Sequence, residues 1–241
     1  MRLRLWRLDF PWSLSIAVLA IAVTVLTQLG LLGALAATRE GVLHGEAWRV
    51  VTGTLVHSNY GHLGRDVVAF LLLGAAYEPS LARRRWLTLL VPALVVPVVV
   101  SLTTQPQLPA YFGLSGAVYA LIAAAFIIEW RETGGHPPKW IVGFSTVTVL
   151  KLIYETVTGQ LLIPMELGVG VVPVPVAHIA GLLVGALAML GSPGRPEKGD
   201  QRRDLLRGGA HPVHQFASRD DPRSPRAGRR GASGAPVCES R

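Results

Sequence analysis

Trp86-Leu-Thr-Leu-Leu-Val-Pro-Ala-Leu-Val-Val-Pro-Val-Val-Val-Ser-Leu-Thr103 runs for 18 residues without one charged side chain. As a helix it would rise roughly 27 Å, close to the hydrocarbon thickness of a bilayer. It has no polar face to turn toward water, so burial in lipid or among other helices is required. Working outward, further candidate spans occupy 12–36, 60–77, 112–129, 140–158 and 173–191, of which 60–77 carries Arg65 and Asp66 and 140–158 carries Lys151 and Glu155. The expected fold is an all-α polytopic membrane protein, with six transmembrane helices bundled within residues 1–191. Composition agrees: half of the chain is hydrophobic and 16% is charged, against about 25% in soluble proteins. Residues 192–241 hold 11 of the 23 Lys and Arg. That segment is rich in Gly, Pro, Arg, Asp and Ser, has no apolar period, and is expected to be a disordered basic cytoplasmic tail.

The short loops orient the bundle. Arg2, Arg4 and Arg7 precede the first span, Arg83–Arg85 follow the second, Arg131 and Lys139 follow the fourth, and the basic tail follows the sixth. With six spans all four clusters fall on one side, which the positive-inside rule makes cytoplasmic. Both termini are then cytoplasmic and the chain is a multi-pass protein of the cell membrane, the inner membrane of a bacterium. The first apolar stretch is longer than a signal-peptide core and is read as a retained span. The net charge of +8 serves topology, with the lipid bilayer as partner and no nucleic acid. A single cysteine, Cys238, excludes a disulfide within the chain and a thiolate metal site.

Polar residues sort by depth in this topology. His57 and His62 lie at the outer entry of the second span, with Asp66 one turn deeper. Ser115 opens the fourth span within Gly113-Leu114-Ser115-Gly116, and His178 lies one turn into the sixth. Three distant segments thus bring ionisable or nucleophilic groups to one shallow level, where their cost near lipid points to function. Each alone has a plainer explanation: a serine between glycines suits close helix packing, and a histidine can satisfy a carbonyl. Together they fit a nucleophile and its base, because a serine hydroxyl needs a partner to take its proton and imidazole does so near neutral pH. With no acidic third member evident beside His178, the reading is a Ser115–His178 dyad. The Ser115 amide at a helix start suits a developing oxyanion, with His62 as a second donor. Gly181 and Gly185 give the sixth span a face for close approach to the fourth, and Tyr119 can lie against His178. Lys151 and Glu155 are i,i+4 partners that neutralise each other inside the bundle. Neither a metal nor an organic cofactor is called for.

On these pieces the chain resembles the rhomboid family of intramembrane serine proteases over about residues 40–190. Trp48-Arg49 matches the Trp-Arg pair of the first outer loop. His57-xxxx-His62 matches the paired histidines, Gly113-Leu114-Ser115-Gly116 the nucleophile motif with Tyr119 beyond, and Ala177-His178-Ile179-Ala180-Gly181 the histidine helix. The resemblance implies a six-helix rhomboid-like bundle, Ser115 as nucleophile, His178 as base, and His62 in the oxyanion hole with His57 supporting it. It also implies membrane-anchored protein substrates cut near the outer face. Asp66 departs from the family, where many members carry asparagine; a carboxylate there would repel an oxyanion unless it is protonated, paired or turned away. The compact body is similar to rhombosortases, which implies processing of exported proteins with C-terminal sorting tails. Two competing expectations stand beside the protease: a catalytically inactive rhomboid-like protein that binds membrane clients, favoured by Asp66, and a small proton-coupled transporter using His57, His62, Asp66, Lys151 and Glu155.

Overall fold

The computed structural model describes residues 10–32, 35–103, 110–163 and 174–190. The predicted tail at 192–241 and the arginines before residue 10 lie outside them. Among the described residues the chain forms α1 (Pro11–Gln28), α2 (Arg39–Leu43), α3 (Trp48–Leu55), α4 (Tyr60–Leu81), α5 (Arg85–Leu89), α6 (Val91–Thr103), α7 (Ser115–Glu132), α8 (Lys139–Thr158) and α9 (Pro175–Met189). No strand forms among them beyond one isolated bridge between Ala37 and Tyr111. The protein is an all-α membrane bundle. Three segments are long and apolar enough to cross a bilayer by themselves: 11–28, 85–103 and 139–158; α9 is a shorter apolar helix. By contrast, α4 carries His62, Arg65, Asp66 and Glu78, and α7 ends in Glu129, Arg131 and Glu132. Those two helices are stabilised by burial of many side chains among their neighbours rather than by hydropathy alone.

Helix ends are satisfied by distant partners. Pro11 opens α1 with a preset φ. No side chain of its own caps that end; the fully buried Glu78 of α4 accepts from Trp12 N at 3.1 Å, Ser13 N at 2.7 Å and Ser13 Oγ at 2.6 Å. A carboxylate facing orphan N–H groups and the positive end of a helix dipole is favourable inside a low-dielectric bundle. Glu78→Ala is therefore expected to cost about 3 kcal/mol and to lower the thermal midpoint of the purified protein, with Glu78→Gln falling between it and wild type. At α9, Arg84 Nη1 donates to Ala188 O at 2.5 Å and Leu190 O at 2.9 Å. A residue of the predicted topogenic cluster thus also caps a helix C-terminus.

Pro97 inside α6 has no N–H for the carbonyl of Ala93, and that oxygen instead accepts from Thr54 Oγ1 of α3 at 3.3 Å. Such replacement partners are what let proline survive within a membrane helix. The outer connection 38–59 contains α2 and α3 and is fastened to the segment before Ser115. Ala37 and Tyr111 exchange backbone hydrogen bonds at 3.0 and 2.8 Å, and Gly113 N donates to Gly53 O at 3.0 Å. A Cβ on Gly53 would meet Ala37 at 2.7 Å, so the docking depends on that glycine. The loop thereby sets the position of the nucleophile motif.

Candidate active site

Ser115 is the first residue of α7, and the chain reaches it through Gly113 at φ +115. That backbone angle is strained for any residue with a Cβ, and a Cβ there would also press within 3.2 Å of His62 and Asp66. Ser115 is half-buried. The Tyr111 hydroxyl, two residues before Gly113, donates to Gly113 O at 3.2 Å. Burial holds the Tyr111 phenol well above its ordinary range, so it stays protonated and neutral.

His178 is the fourth residue of α9. Its ring stacks on Tyr119, one turn after Ser115, with centroids 4.2 Å apart and planes 9° from parallel. The stack is possible because α7 and α9 run side by side with backbones touching. A Cβ on Gly181 would collide with Gly116 O, and one on Gly185 with Ala120 O. Both collisions lie four residues apart on each helix, so the two helices are parallel and in register. The structure therefore brings Ser115, Tyr119 and His178 to one end of one helix pair. No Ser115–His178 hydrogen bond is formed among the described residues. Catalytic hydrogen bonds in unliganded enzymes are often unmade until substrate binds.

His57, His62 and Asp66 form a second cluster against the nucleophile loop. His57 is buried just before α4. Thr24 Oγ1 donates to Leu55 O at 3.1 Å, so its oxygen accepts from His57 Nδ1 at 3.3 Å. His57 Nε2 then accepts from Leu114 N at 3.3 Å, which fixes the amide preceding Ser115. The network assigns the His57 tautomer with its proton on Nδ1. His62 N is capped by Asn59 Oδ1 at 2.8 Å, and its Nδ1 lies 3.2 Å from Ser58 Oγ. If Ser58 donates, His62 Nε2 carries the proton. Asp66 Oδ2 sits 3.5 Å from that nitrogen and 3.3 Å from His57 Nε2, buried and without an aligned hydrogen bond. Asp66 thus faces the two histidines. Among the described residues no cluster of three His, Cys, Asp or Glu is arranged to hold a metal ion.

Glu155 was read from sequence as the partner of Lys151 and as a member of the competing proton relay, not as a neighbour of His178. The ion pair is present at 2.7 Å, but Lys151 Nζ also donates to Tyr119 OH at 3.0 Å, and Glu155 Oε2 lies 3.9 Å from His178 Nδ1. The signal available was an intramembrane carboxylate near the outer end of its helix; its approach to α9 is tertiary and invisible in spacing. Arg49 pairs with Glu46 and donates to Ala36 O at 3.3 Å, so the Trp48-Arg49 motif fastens the outer loop. A separate apolar cleft of about 500 Å³ between α7, α8 and α9 contains none of the predicted site residues.

The Rhomboid family model (Rhomboid domain) matches residues 44–192. The chain is similar to Rhomboid protease GlpG of Haemophilus influenzae, 30% identical over 142 residues, covering 59% of this chain and 68% of that protein. It is similar to the GlpG proteases of Pectobacterium atrosepticum and Yersinia enterocolitica, 29% and 27% identical over 184 residues, covering 73% of this chain and 61% of each relative. The chain thus spans about two thirds or less of these relatives' length.

Proposed function

This chain belongs to the rhomboid family of intramembrane serine proteases, and from that premise we propose that it cuts membrane-anchored proteins with Ser115 as nucleophile and His178 as base. The observation that carries the reading is the backbone contact of α7 with α9, which stacks His178 on Tyr119 one turn from Ser115. Ser115 and His178 share no hydrogen bond in the resting site, so the two groups meet as substrate binds. His178 then takes the hydroxyl proton as Ser115 Oγ bonds to the peptide carbonyl carbon. The developing oxyanion meets the amide at the start of α7 and the Nε2–H of His62, the tautomer that a hydrogen bond from Ser58 Oγ to Nδ1 selects. The imidazolium returns the proton to the departing amine as the C–N bond breaks, and water repeats the sequence on the acyl-enzyme.

The proposed location rests on the charge asymmetry of the loops. We place the chain in a bacterial inner membrane with its basic clusters in the cytoplasm and the site near the outer face. The finer substrate proposal, exported proteins bearing C-terminal sorting tails, rests on the similarity to rhombosortases. Protein reconstituted in liposomes with single-span substrates tests the core reading: cleavage near the outer end of the substrate span supports it. A second reading, an inactive client-binding protein, is favoured by the Asp66 carboxylate beside His62 and the unmade Ser115–His178 hydrogen bond. On that reading substrates are retained intact. Asp66→Asn separates tolerance from necessity. Replacing the carboxylate beside His62 with a neutral amide removes a charge that would repel the oxyanion, so proteolysis is expected to hold or rise. A collapse of activity with folding intact would give the carboxylate a specific role.

A further inference from the structure

We infer that Glu155 is a positioning residue for His178, making the site a Ser115–His178–Glu155 relay with Lys151 and Tyr119 as its frame. This rests on the reading of Ser115 and His178 as nucleophile and base. To accept a proton from Ser115, the imidazole must present a bare Nε2 and carry its proton on Nδ1. A neutral imidazole holds either tautomer, and the group facing Nδ1 selects between them. His178 Nδ1 is buried and has no hydrogen-bond partner among the described residues. The acceptor that faces it is Glu155 Oε2, at 3.9 Å from a side chain with no solvent exposure.

That carboxylate is itself held. Oε2 accepts from Lys151 Nζ at 2.7 Å, and Oε1 accepts from Leu162 N at 3.2 Å. Lys151 Nζ also donates to Tyr119 OH at 3.0 Å, and the Tyr119 ring covers the face of His178. One imidazole is thus bounded by a stacked ring on its face and a fixed carboxylate at its buried nitrogen, leaving Nε2 for Ser115. The 3.9 Å separation is too long for a ground-state hydrogen bond. It closes as Ser115 attacks: the hydroxyl proton moves to Nε2, the imidazolium becomes a cation, and its Nδ1–H is drawn to Oε2. The proton stays on the ring throughout and no bond to Glu155 forms. Charges that act on His178 come from α8, as Lys151 and Glu155, and from α4, as His62, Arg65 and Asp66.

A plain buried ion pair between Lys151 and Glu155 makes a different prediction, because removing both charges together leaves neither buried ion unpaired. The double variant Lys151→Met/Glu155→Gln, reconstituted in lipid, is compared with wild type and Ser115→Ala using a fluorophosphonate probe. The expected result is an inactivation rate constant about 100-fold lower, with the probe's binding constant unchanged. Nitrogen-15 spectra of histidine-labelled protein, with His178 assigned by its loss in His178→Ala, should show the Nδ1–H tautomer in wild type and its loss in the double variant. Labelling within threefold of wild type by the double variant, while Ser115→Ala is unlabelled, would overturn the role of Glu155 and leave the protease reading standing. Equal labelling of Ser115→Ala would remove that reading, and this inference with it. Should the double variant fail to fold, an Nε2–H tautomer of His178 in the wild-type spectrum overturns the inference by itself.

Discussion

Ser115→Ala is expected to reduce cleavage of a reconstituted single-span substrate by at least about 1,000-fold, because nothing else at the start of α7 can form the acyl-enzyme. The substitution removes one hydroxyl from a half-buried position and leaves the helix backbone intact, so the thermal midpoint should stay near that of wild type. His178→Ala is expected to lose as much activity, and the double variant no more than either single one, since the two groups act as a unit. It also removes the ring stacked on Tyr119, so a modest drop in stability accompanies it. Undiminished cleavage by Ser115→Ala in a folded protein would end the serine mechanism.

Gly181→Ala is expected to be nearly as damaging, for a mechanical reason. The added Cβ would meet the Gly116 carbonyl oxygen of α7 inside contact distance. That atom is backbone and has no rotamer to yield with, so α9 must move away from α7. Small residues are what permit such approach in a membrane, where no hydrophobic force presses the helices together. Separating the pair takes His178 off Tyr119 and out of reach of Ser115. Activity should fall at least tenfold, one hydrogen-bonded contact's worth of about 1.4 kcal/mol or more in the transition state, and the thermal midpoint should drop. The control is Gly143→Ala on α8, where a new Cβ meets nothing within 4 Å and both properties should stay unchanged. Activity of Gly181→Ala equal to that control would show that the close helix contact is dispensable.

The fold was legible in the sequence where apolar length and punctuation agree. The expected spans 140–158 and 173–191 correspond closely to α8 and α9, bounded by Pro138, by Gly159 in the left-handed region at φ +66, and by Pro175. The first span was drawn to residue 36, but α1 stops at Gln28. Apolar Leu31 and Leu32 follow Gly30 at φ +73, which ends the helix, while Gln28 Nε2 reaches Ser58 O at 3.1 Å. The span 86–103 is divided at Leu90 into α5 and α6, a break that hydropathy does not register. The close pairing of the helices that carry Ser115 and His178 was legible because it depends on local glycines that the packing requires. Glu78 capping α1 and Glu155 facing His178 were not legible. Each joins segments brought together only by the folded bundle, and a carboxylate's sequence neighbours do not reveal which distant N–H it will face.

The most direct test of the site is to map the covalent adduct of a fluorophosphonate on the lipid-embedded protein by peptide mass spectrometry, with wild type and His178→Ala compared. The expected result is phosphonylation at Ser115 and at no other serine, lost when His178 is replaced. An adduct elsewhere, or one at Ser115 formed equally fast without His178, would contradict the meeting of this hydroxyl and this imidazole.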